Sequence, residues 1–227
     1  MEDKRKTQEL FDDLINKSNL KQEVYQKTHA TFKMLKAGME DLVTKFDSYN
    51  SGDANQVPFK FKDRGNFEAE MKFGGDTLVF MMHTNVFEFP RLHEVMKTPY
   101  IKEDPSRSYC GIINIFNFLT DSFKYNRVND MGYLIGRIFI NKEMHYFIEG
   151  KREIGFLYKS FGNSKMDQTV ASDILESAIK YTINFDLLTP AYDNLKEVTV
   201  HEFISELDSM RIKTGKRLGF KFQADID

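Results

Sequence analysis

Apolar residues in the first fifty positions recur at the spacing of an amphipathic helix. The best-kept part of this stripe is Phe32, Leu35, Met39, Leu42 and Phe46. The polar run 16–19 interrupts it, and Asn19 is a suitable N-cap for a second helix. We therefore predict an N-terminal helical segment over residues 1–50, either as two helices or as one bent helix.

The hydrophobic period changes to two after the polar segment 51–56. Residues 67–73 alternate strictly between apolar and charged side chains, which is typical of a strand with one buried face. Gly74 and Gly75 follow, and the β-rich run 77–82 completes a predicted hairpin. Further strands are predicted over residues 59–62, 112–118, 133–140, 144–148 and 154–158.

Turns and short helices are predicted between and after these strands. The strands ending at 140 and starting at 144 are expected to join across a tight turn at 141–142. Residues 90–98 favour one or two helical turns, and a polar, proline-containing loop follows. Asp167 is the expected N-cap of a helix that ends before Pro190. The segment 197–210 fits a helix and a strand almost equally well.

This order of elements predicts an α+β protein. An antiparallel sheet of about five to seven strands would pack against the N-terminal helical segment and a helix near residues 167–187. Residues 57–227 would form the body, ending in a C-terminal helix and a basic tail, and would join residues 1–50 in one compact unit. The element order resembles that of ligand-sensing folds of the PAS and GAF type; this resemblance implies a ligand-sensing fold and supplies no binding residues.

Composition limits the classes of partner and the compartment. The net charge of the 227 residues is −2, which gives no overall reason to expect nucleic acid or an anionic membrane. The lone Cys110 cannot form an internal disulfide, no apolar stretch is long enough to span a membrane, and no secretory leader follows the charged N-terminus. We therefore expect a cytoplasmic protein without a membrane partner.

No sequence motif identifies a catalytic, metal or nucleotide-binding centre. The 5 histidines are scattered and none has the i, i+4 spacing of a zinc helix, so no metal site is predicted. The glycines at 74–75 and at 215 lack the spacing of phosphate-binding loops, and no nucleophile elbow occurs. The cofactor is unknown, and we interpret the chain as non-enzymatic.

Polar side chains on the predicted strands are the candidate ligand-binding residues. They are Asn114, Asn117, Arg137, His145 and His83. By alternation, Arg137 shares a face with Tyr133 and Ile135, and a guanidinium among aromatic rings suits a carboxylate or phosphate. The alternative is that Arg137 lies on the solvent face or pairs with a neighbouring glutamate, and that His145 is a solvent-side or hydrogen-bonded histidine.

A basic cluster near the C-terminus is a candidate polyanion-binding site. Its members are Arg211, Lys213, Lys216, Arg217 and Lys221, and Phe220 and Phe222 add aromatic rings. The alternative is a solvated turn with an edge strand that its lysines protect from pairing.

Three functional hypotheses follow from these residues. The first is a cytosolic ligand-binding or protein-interaction module of unknown specificity. The second is an enzyme whose site is assembled from His83, His145 and Arg137, which requires them to converge in one pocket with an acid nearby. The third is association with nucleic acid through residues 211–221, which the net charge disfavours. The apolar stripe of the N-terminal helices also suggests a homodimer as an alternative to packing on the body.

Overall fold

The computed structural model of the protein describes residues 2–50, 57–128, 130–150 and 161–185, together with 197, 199–201 and 204. Within these residues the protein is α+β, as predicted, with four α-helices and a seven-stranded antiparallel sheet. The helices are α1 (Glu2–Tyr49), α2 (Pro99–Glu103), α3 (Thr120–Lys124) and α4 (Gln168–Ile183). The strands are β1 (Phe59–Asp63), β2 (Glu68–Phe73), β3 (Asp76–Met82), β4 (Phe87–Glu88), β5 (Tyr109–Leu119), β6 (Tyr133–Asn141) and β7 (Tyr146–Gly150).

A single helix, α1, covers nearly all of the first fifty residues. The break considered at residues 16–19 is absent, so the continuous helix is the correct alternative. Asn or Ser inside a helix lowers its stability by less than about 0.7 kcal/mol per residue relative to alanine. An interruption of the helix would instead leave several backbone N–H and C=O groups without intrahelical partners. Lys17, inside this segment, also donates a hydrogen bond to the hydroxyl of Tyr109 on β5.

The sheet is a meander with the order β1-β2-β3-β5-β6-β7, and β4 pairs with β5 beside this path. The β2–β3 hairpin forms where it was predicted. The turn between β6 and β7 is longer than predicted, with four residues between the strands and Met144 at a φ of 63°. The longer turn changes the strand register, so that Arg137 lies opposite Glu149.

The two faces of the sheet differ in what covers them. On the first face, α1 and α4 pack over the main core, which confirms the predicted dry side beneath amphipathic helices. Its members include Phe32, Leu35, Phe80, Ile113, Ile138, Ile148, Ile174 and Leu175. The second face carries a smaller group that we call the second-face cluster, formed by Phe89, Val95, Ile101, Cys110, Phe139 and Phe161.

Helix α1 comes very close to β5 at Gly111. A Cβ at this position would overlap the side chain of Thr28, so only glycine lets the helix backbone approach the strand here. Thr28 is buried, and its hydroxyl donates to the carbonyl of Val24 at 2.8 Å. The short distance between helix and sheet therefore depends on a glycine on the strand and on a threonine whose hydroxyl is hydrogen-bonded within its own helix.

The segment between β4 and β5 contains more helix than predicted. The expected helical turn is present at Glu94–Lys97. The loop predicted beyond it is instead α2 followed by a second short turn of helix, Pro105–Ser108. Thr98 and Asp104 cap these helices with their side chains, and a proline stands in the first turn of each. The prolines that suggested a loop thus begin helices.

A β-bulge in β6 decides which face Arg137 occupies. The pairing to β5 shifts between Ile115 and Phe116, which leaves Ile135 as the extra residue of β6. Tyr133 and Ile135 pack with the main core, whereas Arg137 lies on the second face. The predicted common face of Arg137 with Tyr133 and Ile135 is therefore wrong, because strict alternation cannot anticipate an extra residue.

Several predicted features lie outside the described residues. They are the strand at 154–158, most of the segment 197–210 and the basic cluster at 211–221. Among the described helices, none has the combination of length and apolarity that a membrane span requires.

Candidate functional site

A row of polar side chains crosses the second face from β5 to β7. The strand register pairs Asn114 with Arg137, and Arg137 with Glu149. Arg137 donates to Glu149 Oε2 from Nε at 2.9 Å, and its Nη2 donates to the same oxygen. We call Asn114, Arg137 and Glu149 the Arg137 row.

His93 supports the Glu149 end of the Arg137 row. Its Nδ1 accepts a hydrogen bond from the backbone N–H of Val95 at 3.2 Å, so the neutral ring carries its proton on Nε2. That Nε2 lies 3.3 Å from Glu149 Oε1 and can donate to it. The ring also packs on Phe89, with the ring centres 4.7 Å apart. Both oxygens of Glu149 are thus held, and Glu149 in turn holds the guanidinium of Arg137.

Arg137 and Asn114 both retain unused hydrogen-bonding capacity. The Arg137 side chain is 42% exposed, so the alternative of a glutamate-paired, solvent-side arginine is correct. Within the described ranges its Nη1 has no hydrogen-bond partner, and the half-buried carboxamide of Asn114 makes no hydrogen bond. Directly paired residues have Cβ atoms about 4.5–5.5 Å apart. The two groups can therefore bind the same carboxylate or phosphate.

A second polar group, which we call the turn cluster, surrounds the β6–β7 turn. Its members are Tyr100, Arg107, Asn141, Glu143 and His145. Asn141 is fully buried, and its Oδ1 accepts from the backbone N–H groups of Glu143 and His145, each at 3.0 Å. Its Nδ2 donates to the Tyr100 hydroxyl at 2.8 Å. One amide side chain thus holds the turn and connects it to α2.

Glu143 is the acceptor at the centre of the turn cluster. Its two oxygens accept from the Tyr100 hydroxyl at 2.8 Å and from Arg107 Nε at 2.9 Å. Burial acts to raise the pKa of Glu143, but these two hydrogen bonds outweigh burial and lower the pKa below its usual value. Burial raises the pKa of Tyr100. Near neutral pH the tyrosine is therefore a neutral donor and the glutamate an anionic acceptor.

His145, directly before β7, lies on the second face with Phe147 and Glu149, as alternation predicted. Its Nδ1 is 3.1 Å from the carbonyl of Phe161, which can only accept, so Nδ1 carries the proton of the neutral ring. The ring stacks on Tyr100 at a centroid distance of 4.9 Å. The alternative of a hydrogen-bonded histidine is correct. His145 holds Tyr100 and Phe161 beside the turn through these two contacts.

The structure does not bring His83, His145 and Arg137 into one pocket. His145 precedes Glu149, the partner of Arg137, by four residues, which is about 13 Å in an extended chain. His83 instead closes the turn after β3, where its Nδ1 accepts from the backbone N–H of Asn85 at 3.0 Å. These three residues therefore lack the convergence that the enzymatic hypothesis requires.

Asn117 lies on the first face, away from the Arg137 row. It is buried, and its Nδ2 donates to Asp76 Oδ1 at 3.3 Å. Its Oδ1 is buried without a hydrogen-bond partner. Asn117 and Asn114 thus stand on opposite sides of β5, and only Asn114 can contribute to a site on the second face.

Asp104 connects the turn cluster to the preceding segment in a pH-dependent way. Lys142 Nζ donates to its Oδ2 at 2.7 Å and Ser106 to its Oδ1, and these contacts lower its pKa to about 2. Because this folded-state pKa lies below the ordinary aspartate value of 3.8, the contacts stabilise the protein above that pH, and this stabilisation is lost as the pH falls towards 2.

We expect Asp104→Asn to lower the free energy of unfolding at neutral pH by less than about 1 kcal/mol, since the carboxylate is about one-third exposed. The difference from wild type should shrink to zero between pH 4 and pH 2. Urea unfolding at a series of pH values measures it. A difference that stays constant across that interval would contradict the assignment.

No protein-family model, curated protein or solved structure matches this chain. The candidate site therefore stands on its own residues. In the part of the chain that the structure describes, no three His, Cys, Asp or Glu side chains are grouped to hold a metal ion. Cys110 is buried in the second-face cluster, where burial raises its pKa, so this thiol behaves as a small apolar side chain.

Sequence reasoning missed Glu149 and the turn cluster because the β6–β7 turn is longer than the sequence suggested. A two-residue turn at 141–142 would place Arg137 opposite Tyr146, a residue of the main core. The observed four-residue turn places it opposite Glu149. The opposite charges at 137 and 149 were the available signal, because cross-strand ion pairs favour one register over another.

Proposed function

We propose that this protein is a non-enzymatic cytosolic module that binds a ligand carrying a carboxylate or phosphate on the second face of its sheet. The observation that supports this most directly is the adjacent pair of Arg137 and Asn114, whose polar groups reach solvent and retain free hydrogen-bonding positions. The cytosolic assignment draws support from Cys110, the lone and buried thiol of the chain.

The support given by Glu149 makes Arg137 a suitable anion receptor. Glu149 occupies Nε and one N–H of Nη2, so three of the five N–H donors of the guanidinium remain. The same contact restricts the side chain before a ligand arrives, which reduces the entropy lost on binding. The free donors are grouped at the outer end of the guanidinium, where they suit a planar or tetrahedral oxyanion.

The proposal is tested by titrating 15N-labelled protein with sodium acetate and, separately, with inorganic phosphate at constant ionic strength. We expect amide chemical-shift changes centred on Asn114 and Arg137. Arg137→Met should weaken binding at least about tenfold, since a hydrogen bond to a charged group contributes about 1.5–3 kcal/mol. Asn114→Ala should weaken it by a smaller factor, because it removes a neutral partner.

Arg5→Met is the matched control, since Arg5 is a highly exposed arginine on α1, remote from the second face. It should leave the titration unchanged. Thermal unfolding of each variant verifies that the sheet remains folded. Equal shifts in wild type and Arg137→Met, or shifts spread over many surface lysines, would refute the proposed site.

Two other hypotheses stay predictions. The homodimer was predicted through the apolar stripe of residues 1–50, of which Phe32, Leu35 and Met39 pack in the main core whereas Phe11 and Leu14 are exposed. Binding of nucleic acid rests on residues 211–221, which lie outside the described residues.

A further inference from the structure

The Arg137 row borders a group of exposed apolar side chains on the same face. Met81 pairs with Asn114 across β3 and β5, and the next residue pairs along the strands join Val79 to Phe116 and Phe116 to Leu134. We call Val79, Met81, Phe116 and Leu134 the apolar strip. Met81 and Leu134 are 40% and 42% exposed, whereas large apolar residues of the first face are buried.

The bulge of β6 is what joins the apolar strip to the polar row. Leu134 pairs with Phe116 on the second face, and the extra residue Ile135 returns to the core. Arg137 then emerges beside Asn114 on the same side as Leu134. Without the bulge, a three-residue separation would place Leu134 and Arg137 on opposite faces.

The far end of the apolar strip is closed by an aromatic ring. Phe118 follows Phe116 on the second face, about 13 Å along β5 from Asn114. The backbone of Gly132 lies against the Phe118 ring so closely that a Cβ there would overlap it. The apolar strip therefore lies between the polar Arg137 row at one end and the Phe118 ring at the other.

We propose that this surface binds a free single-chain amphiphile with a carboxylate head and a medium-length alkyl chain. This inference rests on the proposed function and names its ligand class. The head group would contact Arg137 and Asn114, and the chain would lie over the apolar strip towards Phe118. The unused N–H donors of Arg137 and the carboxamide of Asn114 select a head with several acceptor oxygens, and the exposed apolar side chains gain from burial by a chain.

The size of the apolar strip favours a small ligand over a protein partner. Stable protein interfaces use about 20–30 residues on each side. Four apolar side chains with one arginine and one asparagine are far fewer, which matches the contacts of one alkyl chain better than those of a protein. A partner protein would have to contact much of the surrounding charged surface as well.

The test compares sodium acetate, butyrate, octanoate and decanoate, with octylamine as a chain that lacks the anionic head. The long-chain compounds are kept below their critical micelle concentrations. Binding is followed by chemical shifts and by calorimetry. We expect each added methylene to tighten binding about two- to fourfold until the strip is covered. Octylamine should bind at least about tenfold more weakly than octanoate, because it lacks the acceptor oxygens that the unused donors of Arg137 require.

Variants separate the head group from the chain. Leu134→Asn and Met81→Gln should reduce the gain from chain length and leave acetate binding unchanged. Leu92→Asn is the matched control, since Leu92 is 90% exposed and lies outside the apolar strip. It should preserve the gain from chain length.

The outcomes distinguish this inference from the proposed function. Acetate shifts at Arg137 without any gain from chain length would overturn the amphiphile and leave the anion site intact. Absence of anion shifts would overturn both. Decanoate shifts centred on residues 10–15 of α1, or equal binding of octylamine and octanoate, would show nonspecific adsorption of the chain and would also overturn the inference.

Discussion

Replacing Phe32 by alanine is expected to lower the free energy of unfolding by about 3–5 kcal/mol. Phe32 is 1% exposed and belongs to the part of α1 that packs on the sheet. The cost combines the lost transfer free energy of the ring with the cavity left between helix and sheet, which rigid neighbours fill only in part.

Phe11→Ala provides a control on the same helix with the same pair of residue types. Phe11 is 51% exposed, so its truncation should change the free energy of unfolding by less than about 0.5 kcal/mol. Urea denaturation with a constant m-value measures both variants. Similar losses for the two variants would mean that α1 does not pack on the sheet as the structure describes.

Asn141→Ala is expected to be the next most damaging change, with a loss of about 2–4 kcal/mol. The buried amide satisfies the backbone N–H groups of Glu143 and His145 and donates to Tyr100. Alanine removes all three hydrogen bonds at once. The two N–H groups then lack an acceptor inside the turn, and the cost of leaving them unpaired exceeds the net value of the bonds themselves.

Amide hydrogen exchange gives this prediction a local readout. Exchange at Glu143 and His145 should accelerate more than exchange in the centre of β5, because the turn opens before the sheet does. Asn163→Ala is the control, since Asn163 is an exposed turn residue. Its stability should stay within about 0.5 kcal/mol of wild type. An Asn141→Ala protein with native stability and unchanged exchange at the turn would disprove the role assigned to this amide.

The strands and the helix that formed where they were predicted share a strong local signal. In residues 68–73 the apolar side chains of Ala69, Met71 and Phe73 are buried in the main core as predicted, although Glu70 between them is buried as well. Helix α4 begins directly after the predicted cap, Asp167. Burial periodicity and capping depend on neighbours only a few residues away in the chain. They can therefore be derived before any long-range contact is known.

The errors have a different origin. The polar run at 16–19 looked like a helix break, but the residue preferences involved are small, and α1 continues through it. The sequence predicts a two-residue turn at 141–142, whereas four residues separate β6 from β7, and alternation gives no signal for the extra residue Ile135. Each of these features depends on how one segment pairs with another, which local pattern does not report.

The α+β class, the apolar periods of 3.6 and then 2, the nearly neutral charge and the arginine within an otherwise apolar strand can all be derived from the amino-acid sequence. The surroundings of that arginine depend on how distant segments pair. The bulge at Ile135 and the four-residue turn place Arg137 between Asn114 and Glu149, beside exposed Leu134. Burial periodicity depends on residues that are neighbours in the chain, whereas strand register depends on hydrogen bonds between residues that are far apart in the chain.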